Sequence, residues 1–82
     1  MKLNKDKSAK ILGEVIVHFR KEAGISQEQL SLDSGLARSF VSEIERGIKF
    51  PTVHTLMVIG ATLGVRPSAI MSEIETRLKW KD

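Results

Sequence analysis

The chain has 82 residues, a net charge of +3 and no cysteine, with a sequence pI near 9.5. That length makes one small domain whose core is thin unless its helices pack well or a second subunit adds to it, and a chain without cysteine holds neither a disulfide framework nor a thiolate metal site. No apolar run approaches the roughly 20 residues that span a bilayer and no signal-peptide core opens the chain, so the expectation is a soluble cytoplasmic protein with no membrane partner.

The charge is unevenly placed. Residues 1–10 hold Lys2, Lys5, Lys7 and Lys10 against Asp6 alone, which is the whole of the net charge; acids and bases balance over the remainder. Residues 1–7 are expected to form a flexible basic tail, because termini stay mobile unless tied down, with a DNA-contacting arm as the alternative.

Ser8 then reads as the N-cap of a first helix running to about Glu22, with Ile11, Leu12, Ile16 and Phe19 as its buried stripe. Val15 and Val17 do not fit that stripe cleanly, which points to a broader core or to a protein contact. Gly24 ends the helix, and Ile25 can act as a hydrophobic staple for a second one that Ser26 caps, with Glu28 and Gln29 in its first turn. The run Asp33, Ser34, Gly35 breaks this helix, glycine supplying the left-handed angle that a sharp turn needs.

A third helix follows from near Ala37. Projected at 100° per residue it turns Val41 and Ile44 inward, with Ala37 beside them, and turns Ser39, Ser42, Glu43 and Arg46 outward, with Arg38 at the edge of the first turn. Phe40 falls on the border, between covering the core and touching a thymine methyl or a sugar. Glu45 falls inward near Val41, where a lone carboxylate is costly and must find a partner. Pro51 and Thr52 open a fourth helix with Val53, Leu56, Ile59, Gly60 and Leu63 facing the core and His54 and Val58 outside. Gly64 stops it, and Pro67 starts a fifth, for which Arg66 offers no side-chain cap. Ile70, Met71, Ile74 and Leu78 make that helix's apolar stripe, part of which must close the domain's core.

A short helix that shows water a compact set of hydrogen-bonding side chains has the form needed to read base edges in a major groove. A merely solvated helix face has the same look. The segments SQEQL, Gly35, RSFVSEIERG and PTVHTLMVIGATLGV, in this order and spacing, resemble the helix-turn-helix repressor family of the lambda Cro and C1 type, also called the xenobiotic-response-element family. The resemblance covers roughly Leu12 to Met71. Within it the chain is similar to small restriction-modification controller proteins, which often carry an arginine, a small hydroxyl residue, an aromatic, a branched apolar residue and a serine at the positions of Arg38 to Ser42.

The resemblance implies an all-α fold, a five-helix lambda repressor-like DNA-binding domain occupying residues 1–82, with 66–82 as the fifth helix and a dimerisation segment. It implies Arg20 as the partner of Glu45 in a structural salt bridge. It also marks departures: Ala37 stands where relatives usually place a Ser or Thr cap, and Val15 and Val17 stand where basic or polar residues are common.

The expected roles follow. Arg38, Ser39, Ser42 and Glu43 are the base-reading candidates, arginine being the commonest specific partner of guanine and a carboxylate being able to accept from cytosine N4 or to pair with an arginine instead. Ser26, Gln27, Arg46 and Lys49 are the phosphate-contacting candidates, the first two at a helix N-terminus that favours an anion. Surplus apolar residues, Val58, Met71, Ile74, Leu78 and Trp80 with Met57, point to a homodimer that reads an inverted repeat. The alternatives are a tail that folds back on its own domain, or an antitoxin-like subunit binding another protein through helix five. No nucleophile with a base, metal constellation or phosphate-cradling loop is present, so no catalysis, cofactor, metal or small-molecule substrate is expected.

Overall fold

The computed structural model describes residues 1–81. Five helices follow in order: α1 (Lys5–Glu22), α2 (Gln27–Ser34), α3 (Arg38–Glu45), α4 (Val53–Leu63) and α5 (Pro67–Leu78). No strand occurs among the described residues, and no single helix is long and apolar enough to cross a membrane. Helix α1 packs on α3 and α5, α2 packs on α3 and α4, and α4 packs on α5. All five contribute to one core, whose fully buried side chains are Val15, Ile16, Leu30, Val41, Ile44, Ile59 and Ile70.

The caps mark where local chemistry starts and stops each helix. Ser26 Oγ accepts the Gln29 N–H at 3.0 Å, and Gly35 closes α2 in the left-handed region at φ 76°. The turn into α3 is pinned by its own serines: Ser31 Oγ donates to the Leu36 carbonyl, and the Leu36 N–H donates to Ser34 Oγ at 3.2 Å. These bonds occupy polar groups that the tight turn would otherwise leave without partners. Thr52 caps α4, whereas Ala37 and Arg66 make no side-chain cap bond.

The N-terminus differs from the expectation. Asn4, not Ser8, caps α1, its Oδ1 accepting the Lys7 N–H at 2.9 Å. Residues 5–7 are therefore the first turn of a helix rather than part of a loose tail, with Asp6 favourably placed beside the free N–H groups. Ser8 lies inside the helix, its Oγ buried without a protein partner. Val15, outside the expected stripe, is wholly buried, because α1 is covered by α3 on one side and α5 on another and so buries a wider arc than one stripe.

Two further positions depart. Val53, expected in the core, is 78% exposed; it is the first residue of α4, and side chains there lean back past the helix end, where nothing covers them. Ile74 is buried in the chain's own core and Leu78 packs against it, so half of the α5 stripe assigned to a dimer closes the domain itself. Helix α5 stops at Leu78; Lys79 takes the left-handed conformation and the Trp80 N–H returns to the Glu75 carbonyl at 3.0 Å. Position 82, the end of the expected segment, lies outside the described residues.

Candidate nucleic-acid interface

Helix α3 is held on its inner side by apolar contact and by one buried ionic network. Glu45 lies with its side chain 3% exposed, and Arg20, 12% exposed, reaches it from α1 in a two-pronged contact: Nε to Oε2 at 2.7 Å and Nη2 to Oε1 at 3.0 Å. The remaining guanidinium nitrogen donates to the Ile25 carbonyl at 3.0 Å. This is the bidentate geometry that makes arginine–carboxylate pairs strong. The hydrogen bond to Glu45 pushes the Arg20 guanidinium above its already high range, so it stays charged at any working pH. The pair ties the last turn of α3 to α1 and to the start of α2.

Gln27 completes the network. Its Nε2 donates to Glu45 Oε1 at 2.8 Å, so the amide expected to meet a phosphate is turned inward and orients the carboxylate instead. Ser26 keeps its place at the α2 N-terminus, accepting the cap bond while its hydroxyl hydrogen remains available to a donor's role.

Two glycines make the α1–α3 contact close. A Cβ on Gly13 would lie 2.5 Å from the carbonyl oxygens of Ile44 and Glu45, and a Cβ on Gly47 would lie 2.8 Å from the Lys10 Cα. Neither contact tolerates a side chain. The recognition segment thus rests directly on the backbone of α1.

The outer side of α3 is polar throughout. Arg38, Ser39 and Arg46 are exposed, and Ser42 and Glu43 are half-buried. Phe40 is half-buried and packs against the core, the first of the two readings open to it. Some of these groups already have partners. Arg38 Nη1 lies 3.8 Å from Glu28 Oε2, Lys49 Nζ lies 3.6 Å from Glu43 Oε2, and Arg46 Nε donates to Ser42 Oγ at 3.2 Å. Glu43 is thus paired in the free chain, but with a lysine rather than the expected arginine. Exposed pairs of this kind contribute only about 0–1 kcal/mol, so a base edge or a phosphate can replace them. The Glu28 and Glu43 contacts were not visible in the sequence pattern, since they join α2 to α3 and α3 to the following loop.

The apolar candidates for self-association are split. Met71 and Trp80 are 45% and 46% exposed, Met57 is 51% exposed, and Val58 is half-buried, whereas Ile74 and Leu78 are engaged internally. Among the described residues no three His, Asp or Glu side chains converge on a metal-sized space. His18 stacks edge-on against Phe19 and lies 3.4 Å from Glu22, and His54 is exposed.

A family model described as helix-turn-helix matches residues 17–70. The chain belongs to the helix-turn-helix family, of the Cro/C1 type. Among curated relatives, this helix-turn-helix chain is 38% identical over 56 residues to the transcriptional regulator y4dJ of Sinorhizobium fredii, covering 68% of this chain and 73% of that protein. It is 38% identical over 68 residues to the immunity repressor of Bacillus phage phi105, covering 83% of this chain but 46% of the repressor, so it spans about half of that protein's length. Among solved structures it is similar to the restriction-modification controller protein C.AhdI from Aeromonas hydrophila, with a TM-score of 0.76, 28% identity and coverage of 78% of this chain and 97% of that one. It is likewise similar to the controller C.Esp1396I solved as a tetramer on its natural 35 base-pair operator, with a TM-score of 0.79, 27% identity and coverage of 89% and 96%.

Proposed function

We propose that the chain is a sequence-specific regulator of transcription that binds double-stranded DNA as a homodimer on an inverted repeat. One observation carries the reading. Helix α3 is anchored on its inner side by Val41, Ile44 and the Arg20–Glu45 pair, and its outer side is a continuous set of hydrogen-bonding groups with no large apolar residue. Such a helix fits the major groove, where each base pair presents a distinct pattern of donors and acceptors. The similarity to a controller solved on its operator supports the same reading.

Arg38, Ser39 and Ser42 are assigned to base edges. Glu43 joins them where Lys49 exchanges its carboxylate for a phosphate. Ser26, Arg46 and Lys49 are assigned to phosphates on either side of the groove, and Gln27 acts chiefly by orienting Glu45. Self-association is assigned to Met57, Val58, Met71 and Trp80. The antitoxin-like alternative is disfavoured because much of the α5 stripe closes the chain's own core. Regulation is by occupancy in the cytoplasm, with no catalytic step.

A salt titration tests the reading. Groove binding that neutralises several phosphates weakens by orders of magnitude between about 50 and 200 mM salt. Affinity for duplex DNA that is negligible at low salt, or independent of salt, overturns it.

A further inference from the structure

The groove-facing residues do not account for the chain's charge. Arg38 and Lys49 each face a carboxylate, Glu28 and Glu43 respectively, and the net charge resides in residues 1–10. Those residues are not a loose tail, because Asn4 caps α1 and fixes Lys5, Lys7 and Lys10 on a helix.

The direction in which that helix presents its lysines follows from its contacts. Gly13 and Arg20 mark the line of α1 that faces α3, the one by its approach to the Ile44 and Glu45 carbonyls and the other by its bond to Glu45. At 100° per residue Lys10, Val17 and Lys21 fall within about 40° of one another, roughly 50–90° round from that line. The opposite flank of the line carries Ala9 and Ile16, which are buried in the core. Lys10 and Lys21 therefore stand on the flank of α1 beyond its contact with α3, turned away from the core. Both are exposed, and neither pairs with a carboxylate among the described residues. Glu14, one turn from Lys10, faces Arg77 at 3.9 Å instead. At the other edge, the backbone at Lys10 abuts Gly47, which begins the loop leading to Lys49.

We propose that the flank of α1 bearing Lys10 and Lys21 is a second phosphate-contacting track, beside the recognition helix, that holds the backbone of the same duplex. The two lysines are eleven residues apart, roughly 16 Å along the helix axis at 1.5 Å per residue. That span runs from the approach of Lys10 to Gly47 to the end of α1, shortly before the start of α2. Free lysines so placed gain the release of counterions on binding, whereas those already paired with glutamate return part of it. The proposal rests on the reading of α3 as the groove helix and adds residues that lie outside the helix-turn-helix pair.

The test is the salt dependence of binding to a mixed-sequence duplex roughly three helical turns long, with the full chain and its Lys10→Gln, Lys21→Gln and double variants. Lys81→Gln, which removes the same charge beyond the end of α5, is the control. Each of the first two substitutions lowers the magnitude of the log–log salt slope by about 0.9 per bound chain, hence about 1.8 for a dimer, and the pair by twice that, while the control leaves it unchanged. A steep slope in the parent that none of the variants alters overturns the track and leaves the groove reading intact. A parent with no steep slope overturns both. Loss of thermal stability in Lys10→Gln at an unchanged slope leaves Lys10 a structural role only and likewise overturns the track.

Discussion

Replacing Glu45 by alanine strikes the point on which α3 is hung. The parent pair is almost dry, with side chains 3% and 12% exposed, and three charged or amide donors converge on the carboxylate. Removing one partner of a buried pair costs about 3–5 kcal/mol, because the other charge is left without compensation. Arg20 keeps its bond to the Ile25 carbonyl and some access to water, so the expected loss is near the low end, about 3 kcal/mol. A domain of this length has a total stability of about 4–12 kcal/mol at the usual 0.05–0.15 kcal/mol per residue. The variant should melt about 12–24 °C lower, at about 4–8 °C per kcal/mol for a domain of this size. Replacing both partners, Arg20→Met with Glu45→Leu, should cost much less than the sum of the single changes, since no charge is left stranded. Urea unfolding of the parent, the two single variants and the double variant measures the coupling. A Glu45→Ala loss under about 1 kcal/mol, or strictly additive losses, contradicts the reasoning.

Other perturbations separate reading from holding. Arg38→Ala should cost about 1–3 kcal/mol on the preferred operator and relax the base preference at one position of each half-site; an unchanged preference profile removes Arg38 from the reading set. Gln27→Ala should lose about 1 kcal/mol of stability with the bond to Glu45 and weaken matched and mismatched duplexes alike, so a selective effect on one sequence would count against an orienting role. Gly13→Ala gains about 1 kcal/mol of helix propensity in principle, but its methyl meets two backbone carbonyls at 2.5 Å. The net effect should be a loss of about 1–3 kcal/mol in a urea melt, and stabilisation would show that the α1–α3 contact is looser than described. Met57→Asp should shift sedimentation toward the monomer with the fold retained, and an undisturbed dimer places self-association elsewhere.

What could be read from the sequence was what local chemistry decides. Ser26 and Gly35 bracket α2 because a cap and a left-handed turn are set by a few neighbouring atoms, and the inward side of α3 followed from Val41 and Ile44 three residues apart. The Arg20–Glu45 bridge, between residues far apart in the chain, came from the family resemblance; spacing alone required only that Glu45 have some partner. What failed was decided by where other helices lie. Val53 is bare because no helix covers the start of α4. Ile74 and Leu78 looked surplus only while the route of α5 across α1 was unknown. At the N-terminus Asn4 followed by Lys5 and Asp6 is a workable cap with an acid in the first turn, a signal the surrounding lysines mask. The position of Gln27 at a helix start points its amide outward, but Glu45 Oε1 lies within its reach and takes it.

The central claim is that the outer side of α3 is laid against base-pair edges by two chains related by a two-fold axis. Selection of bound duplexes from a random pool tests it most directly, carried out with the parent chain and with Arg38→Ala. The expected result is enrichment of an inverted repeat whose half-sites lie about one helical turn apart, roughly 34 Å, with loss of preference at one symmetric pair of positions in the variant. A pool that stays random, or a motif that is identical for the two proteins and lacks two-fold symmetry, contradicts it.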